Sequence, residues 1–113
     1  MDLTTNLVGD VVVVAFARAT SLEGDRSARF KRAIRELIDE GHRRVVLDLG
    51  EVAFIDSQGL GALISSLKTL RAEEGDLKLV NVPEAVDSVL RITKLARVFE
   101  THEELDAAVG AFA

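Results

Sequence analysis

Three aliphatic runs, Val11 to Phe16, Val45-Val46-Leu47-Asp48-Leu49 and Leu77 to Val82, alternate with segments whose apolar residues recur at helical spacing. No other feature limits the possible folds as strongly. Short runs of β-branched and aliphatic residues read as strands, and the near-continuous Val11 to Phe16 run has the pattern of a strand covered on both faces. Phe30, Ile34, Leu37 and Ile38 predict a helix from about Asp25 to Glu40, stopped by Gly41. Leu60, Leu63, Ile64, Leu67 and Leu70 predict a second helix, ended by the break at Gly75-Asp76. A third helix carries Val86, Val89 and Leu90 and starts at Pro83, where the missing N–H is harmless.

The ends of the chain add three smaller elements. Leu3 to Val8 reads as an edge strand joined to the next by a Gly9-Asp10 hairpin turn, and Val98-Phe99 as a last edge strand. Thr101 is placed to cap a terminal helix with Glu104 three residues on, the capping-box spacing, and Leu105, Val109 and Phe112 form its buried face. The polar stretch Thr20 to Asp25 reads as a loop. The expected order is therefore β, β, α, β, α, β, α, β, α. Strands that alternate with helices are joined by right-handed crossovers. The expected fold is α/β, a single mainly parallel or mixed sheet of four to five strands with about four helices, and residues 1–113 are expected to form one domain.

Composition narrows the function. A chain of 113 residues with 48% hydrophobic content can bury one core. It has no cysteine, which removes disulfides, thiol catalysis and thiolate metal sites. The first residues, Met1 to Asn6, show no basic stretch followed by an apolar one, and no run approaches the roughly 20 apolar residues of a membrane span. A cytoplasmic protein without membrane insertion is expected. Net charge is −5 and aromatics make up 4%, with neither Trp nor Tyr, so both the basic footprint and the stacking platform of a nucleic-acid binder are missing. A basic run on the first helix, Arg26, Arg29, Lys31, Arg32 and Arg35, reads first as a solvated face and second as a surface attractive to an acidic partner.

Catalytic patterns are weak. His42 and His102 lie far apart beside a turn and a predicted helix start, and read as exposed polar residues. Ser57 lacks the Gly-x-Ser-x-Gly elbow, and Gly59-Leu60-Gly61 lacks the third glycine of a dinucleotide fingerprint, Ile64 standing in its place. Asp48 and Asp56 flank the same turn without a further convergent ligand, so neither a metal nor a cofactor is expected. The informative segment is Asp56-Ser57-Gln58-Gly59-Leu60-Gly61, between a buried strand and the second helix. A serine there is placed to cap the helix while offering its hydroxyl. Gly59 and Gly61 each disfavour a helix interior by about 0.8–1 kcal/mol, which suggests a bare surface that another backbone can approach.

The stretch Leu47-Asp48-Leu49, Val52 and Phe54-Ile55-Asp56-Ser57-Gln58-Gly59-Leu60-Gly61 resembles the signature of STAS domains, and specifically of bacterial anti-sigma factor antagonists. The likeness extends through Leu77-Lys78-Leu79-Val80 to the ending Ile92 to Glu100. It implies that Asp56, Ser57, Gln58, Gly59, Leu60 and Gly61 bind the partner, an anti-sigma factor that is also a serine kinase and itself binds the ATP. It implies further that Ser57 is the phosphorylated residue and that phosphorylation ends binding. Two departures stand out. Gln58 occupies a position where many members carry Ser or Thr, and Ala17 to Leu22 replaces a loop that commonly reads Gly-Glu-Leu-Asp. The other function such a chain could serve is that of a phosphorylation-independent accessory or scaffold subunit, for example of a lipid-transport ATPase.

Overall fold

Val11 to Phe16 alternates its side chains between two apolar layers, which explains why nearly every residue in it is hydrophobic. In the computed structural model, which describes residues 3–112, the elements in chain order are β1 (Leu3–Val8), β2 (Val11–Phe16), β3 (Thr20–Leu22), α1 (Asp25–Asp39), β4 (Arg44–Asp48), β5 (Val52–Ile55), α2 (Ser57–Ala72), β6 (Asp76–Val80), α3 (Glu84–Ile92), β7 (Glu100–His102) and α4 (Leu105–Gly110). The main sheet has the order β1-β2-β4-β6-β7. β1 is antiparallel to β2, closing on Val8 opposite Val11, and the other three pairings are parallel.

One face of the sheet carries Val12, Val14, Phe16, Val45, Leu47, Leu77 and Leu79, and packs against the buried sides of α1, α2 and α3. The other carries Val11, Val13, Val46 and Val80 under Ala108 of α4. Burying one such aliphatic side chain contributes about 1.5–3 kcal/mol, so the two-faced strands set the architecture. α1 ends where the sequence places its stop. Gly41 has φ 100°, its N–H bonds to Ile38 O, and His42 N–H bonds back to Leu37 O, a Schellman closure. None of the helices among the described residues is long and apolar enough to cross a membrane.

Several elements of the fold depart from expectation. The polar stretch read as a loop contains β3, whose Leu22 is buried, and β3 pairs in parallel with β5 to form a small second sheet. Neither strand shows in the sequence because each is short and its partner is more than 25 residues away. The last strand is not Val98-Phe99 but β7, starting at Glu100; Phe99 plugs the core instead. Thr101 does not cap the final helix. It lies in β7 opposite Leu79, so the ladder takes its backbone, and Glu104 stands at the N-cap of α4 without a side-chain hydrogen bond.

β7 and α4 are held by a buried cation. Lys78 is 5% exposed on the α4 side of the sheet. Its Nζ lies 3.0 Å from Glu100 Oε1, 3.4 Å from Asp76 Oδ2 and 4.7 Å from the centre of the Phe112 ring. Glu100 Oε2 is also 2.6 Å from His102 Nε2. The hydrogen bond with His102, followed by that from Lys78, holds the Glu100 carboxyl below the usual glutamate range. A carboxyl with a lowered folded-state pKa contributes stability above its unfolded value, and that contribution is lost as pH falls through the folded value. Acid titration of stability is therefore expected to show a loss below the ordinary glutamate range that Glu100→Gln flattens. Denaturant melts of both proteins across pH 3–6 check this, and parallel pH curves contradict it.

Candidate functional site

Asp56 leaves β5 in an extended conformation, φ −99° and ψ −174°, and α2 begins at the next residue. An aspartate in that geometry folds its carboxylate back over the first helical turn. Oδ1 accepts from Gly59 N–H at 2.8 Å, which makes Asp56 the N-cap. Oδ2 accepts from Gly24 N–H at 3.3 Å, and Asp56 N–H donates to Leu22 O at 3.2 Å. One residue thereby joins the start of α2 to the segment leading into α1.

The cap is thus Asp56 rather than Ser57. Ser57 is the first residue of α2, exposed, and its hydroxyl makes no hydrogen bond among the described residues. The reason is local. A side chain at the N-cap can fold back onto the N–H groups two and three residues ahead, whereas one at the first helical position projects outward. The hydroxyl is left for solvent or another molecule.

The two glycines differ in kind. A Cβ on Gly59 would stand 2.1 Å from Leu22 O and 2.8 Å from Ile55 Cγ1, so only glycine lets the first turn of α2 lie against the end of β3. The backbone that approaches it is the chain's own. A Cβ on Gly61 would meet nothing within 4 Å, and Gly61 is exposed. Leu60 is buried in the core. Within the predicted segment, Ser57, Gln58 and Gly61 therefore reach the surface, Asp56 is half-buried, and Gly59 and Leu60 lie inside.

Phe54, on β5, is 50% exposed, whereas Phe16, Phe30 and Phe99 are buried. It borders a hollow shared with Asp56, Arg26 and Arg29. Reading the sequence alone gave Phe54 no role beyond the signature. The signal available was its position two residues before Asp56 in a strand too short to hide both faces. The other acid of the turn, Asp48, accepts from Gly50 N–H at 2.9 Å. His102 is taken up by Glu100, while His42, half-buried, closes the α1 turn through its backbone.

A STAS domain family model matches residues 6–108. BtrV of Bordetella bronchiseptica, named as an anti-sigma factor antagonist, is 35% identical over 100 residues, covering 88% of this chain and 79% of that protein. A crystal structure of a Thermotoga maritima protein described in the same terms superposes with a TM-score of 0.87 at 26% identity, covering 96% of this chain and 92% of that one. The Bacillus protein SpoIIAA in its phosphorylated form shares the fold, with a TM-score of 0.72 at 19% identity over 96% of this chain and 98% of that one.

The roles of the turn are separable by mutation. Asp56→Ala is expected to cost about 0.5–2 kcal/mol through the lost cap, while Ser57→Ala stays within about 0.5 kcal/mol of the parent. Urea unfolding distinguishes them, and equal losses contradict the assignment of the cap. By the same measurement Gly59→Ala should destabilise by roughly 1–3 kcal/mol from overpacking. Gly61→Ala should stabilise by up to about 1 kcal/mol through helix propensity. A tolerated Gly59→Ala would mean that α2 can lift from β3 freely.

Proposed function

The chain belongs to the STAS domain family, and on that premise we propose that it is an anti-sigma factor antagonist whose hold on its partner is switched at Ser57. Its relatives of high coverage support the antagonist role. The observation that carries the switch is the free hydroxyl of Ser57 at the first position of α2, one residue past the true cap. The residue that could be modified is therefore not the residue that holds the turn together.

The electrostatics favour such a switch. A phosphoserine brings about −1.5 to −2 charges, and the N-terminus of a helix presents roughly +0.5, so the fold accommodates the modified side chain. A partner whose desolvated surface covers Ser57 does not. Like-charge juxtaposition across an interface costs several kcal/mol, and each 1.4 kcal/mol is about tenfold in affinity. Ser57, Gln58, Gly61 and the exposed Phe54 ring form the surface offered to the partner, with Asp56, Gly59 and Leu60 holding it in place from below. An aromatic ring beside the switch suits the centre of a protein interface.

In this reading the partner is a cytoplasmic anti-sigma factor that is also a serine kinase and supplies the ATP. The unmodified chain binds it and frees the sigma factor; phosphate transfer to Ser57 reverses that state. Capture of cellular proteins on the immobilised chain should retain an anti-sigma factor, and the purified partner with ATP should add one phosphate, located at Ser57 by mass spectrometry. Ser57→Ala should bind without responding to ATP, Ser57→Asp should bind at least about tenfold more weakly, and Phe54→Ala should weaken binding with the fold intact. Capture of transporter subunits in its place, or equal binding of the phosphorylated and unmodified chains, overturns the switch.

A further inference from the structure

Between α1 and α2 lies an open groove of about 910 Å³ that begins beside the Ser57 turn, at Gly24 and Gln58, and runs to Ile38 and Thr69. Along α2 that is roughly three helical turns. Its walls are low because Ala28, Gly61, Ala62 and Ser65 carry little or no side chain, and apolar Ile34 and Ile38 line it as well. Low walls and an apolar lining let another backbone lie close.

Ser27 and Ser66 line the groove from opposite helices, are 3% and 4% exposed, and have hydroxyls sealed below the surface with no hydrogen-bond partner among the described residues. The rim, meanwhile, is cationic. Lys31, Arg32 and Arg35 border the groove, and among the described residues Asp25 is the only carboxylate that does. Arg35 pairs with Asp39 at 3.4 Å in an exposed contact, whereas Lys31 and Arg32 have no carboxylate partner among the described residues. On a chain of net charge −5, this concentration of positive charge beside an apolar groove selects for the opposite sign.

We propose that the α1–α2 groove is a docking site for an acidic amphipathic helix. Such a helix lays small or apolar residues on the exposed Ala28 and Gly61 and turns its carboxylates toward Lys31, Arg32 and Arg35. The basic run on α1 then has a role beyond solvation. The inference rests on the proposed function only in assigning the helix to the anti-sigma factor, which would bind the groove and the Ser57 turn as one continuous surface.

Two arms test it. In the first, the full chain labelled with ¹⁵N is titrated with a synthetic helical peptide of about 15 alanine, leucine and glutamate residues, roughly four turns, and with the same peptide carrying lysine for glutamate. The acidic peptide should shift amides of residues 27–38 and 58–69 in a saturable, salt-sensitive way, and the basic one should not. Lys31→Glu with Arg32→Glu should weaken the acidic peptide by about tenfold or more without unfolding the chain. Equal binding of both peptides, shifts mapping elsewhere, or indifference to the charge reversal overturns the proposal. In the second arm, the purified anti-sigma partner is titrated against the Lys31→Glu, Arg32→Glu chain. A loss of about tenfold supports its helix as the occupant, and unchanged affinity overturns that assignment. If no anti-sigma factor is captured at all, the function reading fails while the peptide arm still decides the groove.

Discussion

A single carboxylate, that of Asp56, ties together the segments that meet at the start of α2. Its two oxygens accept from Gly59 N–H on α2 and Gly24 N–H ahead of α1, while its own N–H is tied to Leu22 O. These bonds dock the small β3–β5 sheet onto the start of α2 and bring the first turn of that helix close enough to β3 that only glycine fits at position 59. The helix end, the segment ahead of α1 and the mouth of the α1–α2 groove are thereby held in one arrangement.

That arrangement divides labour between neighbours. Because Asp56 supplies the side-chain cap, Ser57 makes no hydrogen bond through its hydroxyl among the described residues, and its side chain stands at a helix N-terminus, where anions are favoured. A hydroxyl that was itself the cap could not be phosphorylated without loosening the helix. Under the proposed switch, separating the cap and the hydroxyl by one residue would let the surface charge change by about two units while the fold beneath stays as it is.

The far side of the sheet follows a different logic. With only the short α4 to cover it, this face recruits Lys78, whose charge is met by Asp76 and Glu100 and whose ammonium lies over Phe112. A buried lysine with two carboxylates and an aromatic face is retained where one partner alone would leave it unfavourable. The cluster fixes β7 and α4 at the edge opposite β1, away from the three-helix face that carries the Ser57 turn.

Much of this was legible in the amino-acid sequence. The alternation of aliphatic runs and helical patterns determined the α/β architecture, because strands buried on both faces have almost no choice of residue. The residues after Ile55 likewise marked the start of α2, since a strand followed by an acid, a hydroxyl and two glycines has few other readings. What only the tertiary structure decided depends on contacts between distant segments. Whether Asp56 or Ser57 caps α2 turns on one backbone conformation and on Gly24, 32 residues away. Gly59 and Gly61 look alike in the sequence and diverge only once Leu22 is packed against one of them. Thr101, placed to cap a helix by local spacing, was claimed by the ladder with Leu79. The unpaired hydroxyls of Ser27 and Ser66 exist only because two helices enclose them together. Periodicity along the chain reports which face is buried; it carries no information about which distant backbone comes to lie against that face.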